Sequence, residues 1–180
     1  MSTYNIHLRE RLSIHIHNND IHEICSWAQG KENDHHKEEL FTLMLDDDKR
    51  TSDNAAWVFT HFTAADNKWL LDKHDKLIDE VMRTSSVTKR RLILTILLRQ
   101  PFTADNMRTD FLDFCLEHLI DMHEPIGIKA LSMKLAYEQC KPYPELLTEL
   151  RNTLDMLKPE VHTPGMKSAM RKILTLINCR

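Results

Sequence analysis

An all-helical fold, a right-handed stack of antiparallel helix pairs, is what this sequence predicts, and three observations predict it. The 180 residues hold only three glycines, Gly30, Gly127 and Gly165, all at the edges of helical patterns, whereas sheet hairpins favour Asn-Gly, Asp-Gly or Gly-rich turns. Apolar residues recur at the i, i+3, i+4, i+7 spacing of one helix face in segment after segment. From residue 85 onward the net charge of successive segments changes sign. An irregular helical bundle is the alternative architecture for the same pattern.

Helices are expected over Tyr4 to Ile16, Ile21 to Ala28 and His35 to Leu45, followed by the acidic turn Asp46, Asp47, Asp48. Residues 1–50 read as an N-terminal cap and 51–180 as the repeat region, within one structural domain. Ala55, Val58, Phe59 and Phe62 share one face; Leu70, His74, Leu77, Ile78 and Val81 share the next, on a helix near 66–83. Ser85 or Ser86 can cap a helix that runs to Arg99 and ends before Pro101. Within it, Leu92 to Leu98 is apolar on nearly every side, as in a helix covered by several neighbours. Leu112, Cys115, Leu116 and Leu119 form the face of a helix near 107–122. Pro144 opens a helix striped by Leu147, Leu150, Leu154 and Leu157, and Thr163-Pro164 opens one striped by Met166, Ala169, Met170, Ile173, Leu174 and Ile177. Burying one such leucine stabilises a fold by roughly 1.5–3 kcal/mol, so every stripe needs an apolar neighbour.

The charges follow the helices. Segment 85–99 carries Lys89, Arg90, Arg91 and Arg99 and no acid; 105–124 carries Asp105, Asp110, Asp113, Glu117, Asp121 and Glu124 against Arg108. Segment 127–141 is mildly basic, 144–160 mildly acidic, and 165–180 basic through Lys167, Arg171, Lys172 and Arg180.

Composition narrows the function classes. At 42% hydrophobic and 28% charged residues the chain suits a folded domain, and a net charge of −3 argues against a surface that coats nucleic acid. Four cysteines, Cys25, Cys115, Cys140 and Cys179, form no Cys-x-x-Cys, and no cationic-then-apolar leader opens the sequence. The apolar run Leu92 to Leu98 is far short of the roughly 20 residues that span a bilayer. A cytoplasmic, reduced protein without membrane partners is the expectation. Eleven histidines invite a metal search, yet no two lie four apart, and His22-Glu23-Ile24-Cys25-Ser26 lacks the second histidine of a His-Glu-x-x-His site. On a helix His15 and His17 would point about 200° apart. Without a Gly-rich phosphate loop or a Gly-x-Ser-x-Gly elbow, neither a cofactor nor a catalytic residue is expected.

Internal similarity sharpens the fold. Arg90, Leu92 and Ile96 align with Lys129, Leu131 and Leu135 at an offset of 39, and Leu112, Cys115, Leu119 and Met122 with Leu147, Leu150, Leu154 and Leu157 at an offset of 35. A two-helix period in the high thirties, with Ile128-Lys129-Ala130-Leu131 opening one unit, resembles HEAT or armadillo-type repeats over roughly residues 52–178. The resemblance implies a non-catalytic scaffold for a protein or peptide partner. It implies also that the second helix of each pair, here those near 66–83, 107–122 and 145–158, lines the concave side. Asp110, Asp113, Glu117, Asp121, Glu145 and Glu149 are then the partner-binding set, suited to a basic peptide or protein surface; the plain alternative is a set of solvated helix faces. Some HEAT-like proteins are DNA glycosylases of the alkylation-repair type. On that alternative Trp69 and Asp72, or Trp57 and His61, would serve at the lesion. A pairing shifted by one helix would then line the groove with Arg90, Arg91, Lys129, Lys134, Lys167 and Arg171.

Overall fold

The computed structural model describes residues 3–157 and 163–179, with side chains from His7 onward. Lys158 and Glu160, the end of the expected acidic segment, and the basic Arg180 lie outside the described residues. The described chain is helical without strands: α1 (Thr3–Ser13), α2 (Asn18–Ala28), α3 (Asp34–Met44), α4 (Lys49–Thr60), α5 (Ala64–Asn67), α6 (His74–Arg83), α7 (Val87–Leu97), α8 (Thr109–Ile120), α9 (Ile126–Cys140), α10 (Pro144–Met156) and α11 (Pro164–Asn178). Three 3₁₀ turns, Lys31–Asn33, Lys68–Lys73 and Ala104–Asn106, join them. Four helices, α4, α5, α7 and α11, start where a hydroxyl or carboxylate side chain accepts one of the first free backbone N–H groups. Asp48 accepts from Thr51 N, Ser86 from Lys89 N and Thr163 from Met166 N, so Ser86, not Ser85, caps α7.

The chain divides into two compact units, Met1–Gln100 and Pro101–Arg180, so that position 50 falls inside the first, in the first turn of α4. In the first unit α4 packs against α1, α2, α3 and α7, and α6 packs on α7. Leu92, Ile93, Leu94, Ile96 and Leu97 are all buried, as the all-round apolar pattern of α7 requires. Phe41, Phe59, Phe62 and Trp69 form an aromatic cluster, with Phe59 and Trp69 stacked at 6.5 Å and Lys73 Nζ 5.0 Å from the Trp69 ring.

Two expected helices are interrupted here, and distant side chains interrupt them. The first ends at Ser13 instead of Ile16, because Asn54 Nδ2 of α4 donates to the carbonyls of Leu12 (2.8 Å) and Ile14 (3.1 Å). The helix expected over 66–83 is split into α5, a 3₁₀ turn and α6. Gln100 Nε2 donates to Leu70 O (3.2 Å), the carbonyl that the His74 N–H would take in an α-helix; that N–H bonds Leu71 O instead.

In the second unit α9 lies against α8, α10 and α11, and α10 also packs on α11. Leu112 and Leu147 are the fourth residues of α8 and α10, both buried, and are followed at the same spacing by buried Cys115 and Leu119, and by Leu150 and Leu154. The offset of 35 therefore relates equivalent core positions. Met122 departs from it: α8 stops at Ile120 and Met122 stands 75% exposed in the following turn.

The pairing of helices differs from the one expected. The principal partner of α8 is α9 and that of α6 is α7, while α3 packs on α4. The helices of 66–83 and 107–122 are thus first members of pairs, whereas α10, the helix of 145–158, lies on α9, as expected, as well as on α11. Charge alternation could not fix this register, because the sign of a solvated face does not say which neighbour the buried face meets.

One buried ion pair spans the α6–α7 connection: Glu80 and Lys89, 5% and 3% exposed, face each other, and Arg83 Nη2 reaches the same carboxylate at 2.7 Å. Histidines distant in sequence also meet. His22 of α2 and His61 at the end of α4 place their rings 5.3 Å apart, and His36 stacks on Trp27 at 3.7 Å. His15 and His17, in the link after α1 and not on a helix, come within 4.8 Å. Among the described residues no group of three or more His, Cys, Asp or Glu side chains is placed to hold a metal ion.

Replacing Glu80 by leucine strands the Lys89 ammonium in the core and should destabilise the fold by about 3–5 kcal/mol, with most of the loss recovered in Glu80→Leu/Lys89→Met, as read by urea unfolding. His61 is held below its ordinary pKa by burial first, then by His22 and Arg99. The unfolded chain therefore binds more protons than the folded one below about pH 6.5, and stability falls as pH drops through that window. The urea midpoint should decline between pH 7.5 and 5.5, and decline less in His61→Gln. The carboxylates with lowered pKa, such as Asp46 and Asp48, act only at lower pH.

Candidate functional site

The second unit carries the acidic residues expected to meet a partner. On α8 the spacing of Asp110, Asp113, Glu117 and Asp121 at steps of three and four puts all four on one stripe, opposite the buried Leu112, Cys115 and Leu119. Their surroundings make them unequal. Arg108 grips Asp110 with two guanidinium bonds of 3.1 and 2.6 Å, and this partner holds the Asp110 carboxyl below its usual range. Asp121 Oδ1 accepts the His123 backbone N–H at 2.9 Å and shapes the turn after α8. Asp113 and Glu117 are exposed and make no hydrogen bond or ion pair among the described residues. Glu145 and Glu149, one turn apart on α10, are exposed likewise.

An apolar cluster that the sequence reading missed lies beside this stripe. Ile120, Met122 and Ile126 are 53%, 75% and 42% exposed in the span from the last residue of α8 to the first of α9. The connection is braced from below by His118 Nδ1 and Glu124 Oε2 at 2.9 Å, with the His118 ring against Phe114 at 4.1 Å. The result is a firm turn that presents apolar side chains between carboxylates. The signal in the sequence was the Glu124-Pro125 step, which ends helical continuity and leaves Met122 outside α8.

The basic residues of the alternative reading are less concerted. Arg90 and Arg91 belong to the first unit, and Arg90 is half-buried with Nη2 donating to Thr84 O at 2.9 Å. In the second unit Lys129 and Lys134 are half-buried and lie about 140° apart around α9, while Lys167 and Arg171 share an exposed face of α11. Trp69 is held in the aromatic cluster between Phe59 and Phe41, and Asp72 is exposed on the 3₁₀ turn. Trp57 packs edge-on to His61 at 6.3 Å.

Three thiols are inward. Burial pushes Cys25 up to about 11 and Cys140 up to about 12, and raises Cys115 further, so all three stay protonated at neutral pH. Cys179 is exposed. No helix among the described residues is long and apolar enough to cross a membrane.

The profile of the HEAT repeat domain family matches residues 8–177, nearly the whole chain. No curated protein and no solved structure matches it.

Proposed function

Since the chain belongs to the HEAT repeat domain family, we propose that it is a partner-binding scaffold whose second unit takes a basic, apolar-containing segment of another protein. The observation that carries this reading is the α8–α9 connection, where exposed Ile120, Met122 and Ile126 adjoin the carboxylates of Asp113, Glu117 and Asp121. Exposed apolar clusters rimmed by charge are characteristic of interaction surfaces, since isolated apolar residues are common but clustered ones remain costly in water. The carboxylates supply orientation and a faster encounter with a cationic segment, and the apolar side chains supply area. Glu145 and Glu149 extend the field on α10. We assign the chain no chemistry of its own and place it in a reducing, cytoplasmic setting, where its cysteines stay free.

The nucleic-acid reading has one observation in its favour: Lys129, Lys134, Lys167 and Arg171 fall on α9 and α11, which pack on each other within the second unit. Against it stand the divergent directions of Lys129 and Lys134 and the packed position of Trp69.

A fluorescently labelled peptide of alternating lysine and leucine should bind the full-length protein, measured by anisotropy, and weaken steeply between low and high salt. Asp113→Lys/Glu117→Lys should lose about tenfold in affinity or more, and Met122→Ser a similar amount, with the melting temperature unchanged. Affinity indifferent to salt and to both variants would sink the proposal, and duplex DNA binding that survives Lys167→Glu/Arg171→Glu would sink the alternative.

A further inference from the structure

At the far end of α9 the second unit holds a groove of about 630 Å³, lined by Lys141, Pro144, Leu147, Arg151 and Ile177 with Asn178 at its edge. Its floor is apolar: Leu147 is buried, Ile177 half-buried, and the Pro144 ring closes one side. Its charged lining residues, Lys141 and Arg151, are both cations, and no carboxylate lines it. Arg151 is exposed and only loosely held, 3.8 Å from Asp155. The groove therefore suits an element that carries a protruding apolar side chain beside carboxylates.

One such element is on this chain. The α8–α9 turn presents Met122 and Ile120 next to Glu117 and Asp121. It cannot reach its own groove. The turn precedes the first residue of α9 and the groove begins at Lys141, just past the last, so the 15 residues of α9 hold the two about 22 Å apart within one compact unit. We propose that the α8–α9 turn of one copy docks in the α10–α11 groove of a second copy. Met122 fills the apolar floor, and Glu117 and Asp121 face Arg151 and Lys141.

The contact joins two different patches at opposite ends of α9, so it is head-to-tail and leaves one copy with an unused turn and the other with an unused groove. A single turn in a single groove buries less than the roughly 1,200 Å² of a stable interface, so the association is weak and depends on concentration. This inference rests on the reading of the α8–α9 turn as a docking element, and it adds that self-association competes with the basic partner.

Sedimentation equilibrium of the full chain tests it. The average mass should rise with concentration past that of a dimer. Met122→Lys disables the turn and Arg151→Glu disables the groove; both positions are exposed, and unchanged thermal melts confirm folding. Each variant alone should lose about tenfold or more in association constant. An equimolar mixture should form a dimer and nothing larger, because only one intact turn and one intact groove can meet. A monomer at every concentration, association untouched by either variant, or a mixture that does not pair would each overturn the proposal. Arg151→Glu should still bind the lysine–leucine peptide; if no protein binds that peptide while self-association persists, only the partner reading fails.

Discussion

No helix among the described residues can hold itself together. Outside the one-turn α5 they run 10–15 residues, a length at which an isolated helix is marginal in water, so each exists because a neighbour covers its apolar stripe. The two units meet this constraint with the same device. In the first, α4 is covered by α1, α2, α3 and α7; in the second, α9 is covered by α8, α10 and α11. Of these two central helices, α9 loses the one-sided pattern of a surface helix. On α9, Ile128, Met133, Leu135, Ala136, Tyr137 and Cys140 are buried together with Ser132 and Gln139. Gln139 Nε2 turns back to Leu135 O at 3.4 Å, a local solution to carrying an amide into an apolar layer.

Most of this fold was legible because helix periodicity is a local property. The stripes of α4, α6, α8, α10 and α11 were visible in the spacing of their leucines and aromatics, and the caps at Thr163 and Ser86 in single residues before each run. What stayed hidden depends on partners far away in sequence. Asn54 reaches back to the carbonyls of Leu12 and Ile14, and Gln100 takes the Leu70 carbonyl; neither bond leaves a mark near the helix that it ends. The register of pairing was hidden for a related reason. A stripe announces that it will be buried, and says nothing of whether the preceding or the following helix buries it.

The candidate site divides in the same way. Asp113 and Glu117 sit opposite a buried stripe, so their exposure follows from spacing alone. Met122 continues that stripe numerically, yet the helix stops two residues earlier and the side chain turns outward. Asp110 shared the acidic pattern while its neutralising partner, Arg108, stood two positions away, too close for helical spacing to reveal. The groove could not be read at all, since Lys141 follows the end of α9, Arg151 lies in the middle of α10 and Ile177 near the end of α11.

The bond from Gln100 to the Leu70 carbonyl bears on the order of assembly. It spans thirty residues and passes over the whole of α7, so the chain must close that loop before the turn ahead of α6 has its hydrogen-bond acceptor engaged. His74 Nδ1, beside Gln100 Oε1 at 2.5 Å, waits on the same event. The entry to α6 is therefore a late, non-local element of the first unit.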